Sequence, residues 1–192
     1  FLILLSIGYI LIIAIHTFRI DQIPVGLFLD ETSIGYNAIT ILQTGVDEHG
    51  VRFPIFFESV GDYKNPIYIY AVALIFKLFG ASEFTLRLTS VYFFVIAMSA
   101  TVFLASRMFQ ANRAVPAYAL LAFGFLPLFF TISRLSFEVI TQLAWVSVQT
   151  LCIWFIFHDK NKKIFTIPKL LFCGLVMGTS IYTYTTARLL SI

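Results

Sequence analysis

Charge is scarce in this chain. Asp, Glu, Lys and Arg make up 12% of its 192 residues, against roughly 25% in soluble domains, so an ordinary water-solvated fold is excluded. Cysteine is nearly missing: Cys152 and Cys173 both stand inside apolar runs and read as small buried hydrophobes, not as a disulfide framework. The sequence has no glycine-rich phosphate loop, no HExxH helix and no GxSxG elbow. His16, His49 and His158 lie far apart in the sequence, so a metal site built from histidine alone is not expected. The net charge of +3 is small and unevenly spread, which gives no footprint for nucleic acid. No internal repeat or low-complexity tract is present.

What fills the chain is apolar. Hydrophobic residues make up 59%, Phe alone supplies 22 residues, and the mean hydropathy is +0.91. Crossing a bilayer takes about 20 apolar residues, with a range of roughly 17–25. Residues 1–18, 88–106, 114–132, 139–157 and 169–187 meet this. They predict an all-α fold, a polytopic membrane helical bundle with five spans. Residues 1–18 lack the basic start and small-residue cleavage site of a signal peptide, so they read as a first transmembrane helix. The chain begins at Phe1 without Met and stops at Ile192 just past an apolar run; it reads as a piece of a longer protein.

Residues 66–79, PIYIYAVALIFKLF, are the ambiguous segment. They are too short to span, begin with Pro66 and carry Lys77; apolar runs of roughly 10–14 residues are more often interfacial or re-entrant. If this segment does not span, Arg107, Arg113, Lys160, Lys162, Lys163 and Lys169, opposed by Asp159, fall on the side of the N-terminus. That satisfies the positive-inside rule, and an interfacial helix is expected.

A long first external loop, 19–87, then holds eight of the ten acidic residues: Asp21, Asp30, Glu31, Asp47, Glu48, Glu58, Asp62 and Glu83. After Asp30-Glu31, the apolar residues Ile34, Ala38, Ile41 and Leu42 recur at helical spacing, and Gly45 is placed as a C-cap. Gly50, Pro54, Gly61 and Pro66 punctuate the next stretch as turns, and Phe53, Phe56, Phe57 and Tyr63 suit the headgroup level. The loop is expected to fold into a compact cap of membrane-surface helices.

Four polar clusters reach the outer face in this arrangement. Asp30-Glu31 can simply cap a helix, or the acids can be aimed at a reaction. In SRLSFE, 133–138, Arg134 and Glu138 can form an i,i+4 pair, or Glu138 can join Asp30 from another part of the chain. Lys64 in DYKNP can snorkel or bind phosphate. Tyr184 and Arg188 in YTYTTAR can form an interfacial belt or a substrate contact. Arg87 is a further candidate cation. Carboxylates together with Lys64, Arg134 and Arg188 suit a phosphate-bearing lipid and the activation of an acceptor hydroxyl.

The residues LDETSIGYNAITILQTGVDEHG, then YKNPIYIY, then FGASEFTLRL, resemble the N-terminal part of GT-C glycosyltransferases. Within these they are most similar to the protein O-mannosyltransferase and lipid A aminoarabinose transferase group. The resemblance spans all 192 residues, as the N-terminal part of one transmembrane module, and is sharpest over 24–88. It implies sugar transfer from a polyprenyl- or dolichyl-phosphate donor to a lipid, glycan or protein acceptor, at the external side (periplasmic, extracellular or lumenal) of a cell membrane. It implies Asp30 as the catalytic carboxylate with Glu31 beside it, and Lys64 at the donor phosphate, although Asn65 here separates that lysine from Pro66. It implies Glu138 as a second acid and leaves a divalent metal open. A lipid-linked sugar transporter or a non-catalytic partner subunit is the alternative. A transporter would carry ionisable residues mid-span, whereas here they lie at span ends.

Overall fold

The computed structural model describes residues 2–59, 61–158 and 167–186. Among these, eight α-helices and one short hairpin follow in order: α1 (Leu2–Thr17), α2 (Leu29–Thr44), β1 (Phe57–Ser59), β2 (Asp62–Lys64), α3 (Pro66–Phe79), α4 (Glu83–Met108), α5 (Ala114–Phe125), α6 (Pro127–Arg134), α7 (Val139–His158) and α8 (Ile167–Thr179), closed by a 3-10 turn, Ser180–Tyr182. The expected all-α membrane bundle is present. Helices α4 and α7 are each long and apolar enough to cross a membrane; α5 and α6 together make a third such unit, and α1, α3 and α8 are shorter apolar helices.

Helix α4 is the central post. Its Ser82 N-cap accepts a hydrogen bond from Thr85 N–H, and its Leu86, Phe93, Phe94, Ala97, Met98 and Val102 are all buried. Its most extensive partner is α7, where Ile140 and Ala144 are buried. Small residues at this seam let the two backbones approach closely. Helices α2 and α3 pair with each other, and α3 also packs on α4. The expected helix after the acidic pair is there, but it starts at Leu29, one residue before Asp30. It ends as expected, with Gly45 left-handed (φ 75°) and donating its N–H to Ile41 O.

Two features depart from the sequence expectation. Strands β1 and β2 pair antiparallel, Phe57 with Lys64, Glu58 with Tyr63 and Ser59 with Asp62. The apolar stretch 114–132 is not one straight span, because α5 and α6 meet at 57°. Pro127 has no N–H to continue the ladder and pushes Leu126 out of the helical region, to φ −66°, ψ 123°. Gly124 lies among the last carbonyls of α5, which have no intrahelical partner. The ring of His16 on α1 fills that role: Nε2 donates to Gly124 O at 3.2 Å, Nδ1 meets Ser133 Oγ at 2.6 Å, and the ring stacks on Phe94 at 4.2 Å.

This packing has no room for a side chain at position 124, where a Cβ would come within 2.5 Å of Ile12. Gly124→Ala should lower stability by about 1–3 kcal/mol through overpacking, read as a lower inactivation temperature in mild detergent. Adding Ile12→Ala should recover part of the loss; no recovery would mean that the contact is not the cause.

Candidate active site

The acidic pair at the start of α2 is divided by helix geometry. Successive residues on a helix point about 100° apart, so Asp30 and Glu31 cannot face the same way. Glu31 turns inward and is fully buried. One oxygen accepts from Arg87 Nε (3.0 Å) and Ser136 N–H (2.8 Å); the other accepts from Arg87 Nη2 (3.1 Å) and Phe28 N–H (3.1 Å). The Phe28 contact is the backward half of a capping box. Arg87, also fully buried, donates further to the carbonyls of Ile20, Pro24 and Gly26 at 2.9, 2.8 and 2.5 Å. All five of its N–H donors are engaged. Arg87, a candidate cation in the sequence, thus has all of its donors taken up within the fold. Glu31, expected beside Asp30 in the catalytic pair, has both oxygens engaged within the frame.

Arg134 is also taken up by the frame. Its guanidinium donates to the carbonyls of Ile15, His16, Phe18, Arg19 and Ile23, at 2.8–3.2 Å. It closes the C-terminal end of α1, where unpaired carbonyls and the helix dipole favour a cation. The alternative of an Arg134–Glu138 pair is not realised, because Glu138 turns to another partner.

Asp30 faces outward. Its carboxylate receives the Lys64 ammonium at 2.5 Å, with Asp30 about half exposed and Lys64 largely covered. The two residues come from the first turn of α2 and the end of β2. Burial works against the Lys64 charge, but the hydrogen bond and charge of Asp30, with Glu138 and Asp62 further off, outweigh it and raise Lys64 above the ordinary lysine range. Glu138, just before α7, accepts the Asn65 backbone N–H at 2.6 Å and its Nδ2 at 3.0 Å. Burial pushes the Glu138 carboxyl up, and the bonds from Asn65 and the charge of Lys64 only partly counter it. Tyr184 is half-buried and follows Thr183, whose carbonyl accepts Thr141 Oγ1 at 2.8 Å; this sets it beside the start of α7. Arg188 lies outside the described residues. Among the described residues no group of three or more His, Cys, Asp or Glu side chains is placed to hold a metal ion.

The sequence pattern of the dolichyl-phosphate-mannose-protein mannosyltransferase family matches residues 63–192, the greater part of the chain. The chain belongs to that family. It is thus a membrane glycosyltransferase of GT-C type, with the apolar helices of a multi-pass membrane protein. No curated protein and no solved structure matches it. Within this mannosyltransferase-family chain the matched stretch includes Lys64, Arg87, Arg134, Glu138 and Tyr184, while Asp30 and Glu31 precede it.

Sequence reasoning passed over two groups that the structure brings forward. Asn65 stands out in the sequence only by separating Lys64 from Pro66, and its partner Glu138 lies far along the chain. The Ser136 backbone N–H carries no sequence signal. The division of the acidic pair yields a test: Arg87→Ala leaves Glu31 buried without its counter-charge and should destabilise the fold by about 3–5 kcal/mol. Arg87→Lys should restore little, because one ammonium cannot reach the same five acceptors. The reading is wrong if either variant keeps parental thermal stability in detergent.

Proposed function

We propose that the chain transfers a sugar, with inversion, from a polyprenyl- or dolichyl-phosphate donor to an acceptor hydroxyl at the external membrane face. The observation that carries this reading is the contact of Asp30 with Lys64, a half-open carboxylate against a largely covered cation. Asp30 takes the hydroxyl proton as the acceptor oxygen bonds to the anomeric carbon. The bond from that carbon to the phosphate oxygen breaks, and the electron pair leaves with the lipid phosphate. Lys64 stabilises the negative charge that grows on the phosphate. With Arg87 and Arg134 engaged elsewhere, Lys64 and Arg188 are the cations left among the candidates for this role. Protein hydroxyls are the acceptor class that the family's name favours.

The shortness of α3 supports the external side. At about 1.5 Å per residue its 14 residues reach about 21 Å, short of a hydrocarbon core of about 30 Å. With α3 lying at the interface, residues 20–82 share the external face, and Arg107 and Arg113 lie at the opposite one, in accord with the positive-inside rule.

Asp30→Asn should lower transfer by about 10²–10⁴-fold while leaving insertion intact, since Asn serves near a helix start nearly as well as Asp. Near-normal turnover with a labelled polyprenyl-phosphate sugar would refute the assignment. Lys64→Gln should weaken use of the donor by about ten- to a hundredfold, and Lys64→Arg should recover part. For topology, cysteines introduced at Val25 and Gly80, after Cys152 and Cys173 are replaced by Ser, should both label from outside. Labelling from opposite sides would make α3 a span.

A further inference from the structure

Lys64 sits at the end of a four-carbon flexible stem, so something must hold its root if the ammonium is to stay at Asp30. The adjoining residue shows what does. Asn65 is the N-cap of α3, with Pro66 as the first helical residue, yet its side chain makes no capping hydrogen bond. An Asn in that position ordinarily accepts from the first turn. Here Nδ2 points across to Glu138, and the Asn65 backbone N–H goes to the same carboxylate. Asn65 is fully buried and Glu138 nearly so. The two-point contact fixes the backbone one residue, about 3.8 Å, from the Cα of Lys64.

We propose that Glu138 and Asn65 form a clamp that positions Lys64 against Asp30, so that Glu138 is a positioning residue and not an acceptor ligand. The proposal rests on the reading of Asp30 and Lys64 given above, and it names two residues that govern that site. Glu138 acts on Lys64 twice: through the two hydrogen bonds that hold the end of β2, and through its charge, which faces the ammonium together with Asp62. The clamp also joins the start of α7 to the β2–α3 junction, two segments far apart in the chain.

A carbodiimide reports the Lys64 geometry without any turnover. It activates a carboxylate as the O-acylisourea; a lysine amine in contact attacks, the amide forms and the urea leaves. In membranes carrying the chain this should join Asp30 to Lys64, seen as linked peptides by mass spectrometry. Glu138→Ala should lower the yield about tenfold, and Asn65→Ala, which removes the Nδ2 bond and keeps the backbone N–H one, about threefold. Glu138→Gln keeps one acceptor oxygen but turns an NH2 toward the other Asn65 donor and loses the charge, so its yield should fall about as far as that of Asn65→Ala. In transfer assays the donor KM should rise in step with the lost crosslink while the acceptor KM stays constant. An undiminished crosslink in both alanine variants overturns the clamp, and so does a Glu138→Gln that keeps the full parental yield. If Glu138→Ala fails to accumulate in the membrane, Asn65→Ala decides alone. Turnover by Asp30→Asn would remove the catalytic reading instead, and the crosslink comparison would stand.

Discussion

A guanidinium sealed from water must find acceptors for all of its N–H groups, and Arg87 finds them in three separate backbone carbonyls and one carboxylate. Taking two charges out of water is costly, and such a pair is tolerated only when every donor and lone pair is satisfied. That condition dictates the local fold. The loop after α1 has to curl so that Ile20, Pro24 and Gly26 present their carbonyls inward. Helix α2 has to start where Glu31 can reach both Arg87 and the Phe28 N–H, and the turn between α6 and α7 has to bring in Ser136. Three stretches of chain are thus held to one post of α4.

The orientation of Asp30 follows from this. Once Glu31 is committed inward, the helix turns its neighbour outward, toward the end of the hairpin that carries Lys64. The same frame explains why the cation at Asp30 is a lysine although two arginines lie nearby: Arg87 and Arg134 both serve backbone carbonyls. The planar fork of arginine suits that work, whereas a lysine ammonium is a mobile point charge.

Much of this was legible in advance where the determinants are local. The apolar runs marked the helices, Gly45 marked the end of α2, and the shortness of 66–79 set α3 apart. Asp30 and Lys64 were both picked out by their position next to membrane segments, and they meet. What was not legible depends on partners remote in sequence. Nothing in the dipeptide Asp30-Glu31 says which acid will be buried, because the choice rests on Arg87 and Ser136. Strands β1 and β2 are too short for their alternation to rise above the surrounding turn residues. Pro127 was visible, but a hydropathy sum over 114–132 ignores a missing N–H, and so the break at Leu126 passed as a continuous span.

That break bears on the membrane itself. With 12 residues in α5, 8 in α6 and a bend of 57°, the pair rises only about 25 Å along the axis of α5, less than a typical hydrocarbon core of about 30 Å. A unit shorter than the hydrocarbon core is met by thinning of the bilayer beside it or by flanking polar side chains reaching outward, each at a fraction of a kcal/mol per Å. A locally thinned leaflet lowers the headgroup plane toward the protein's midline, so a long isoprenoid lipid arriving along this flank would meet a depressed surface.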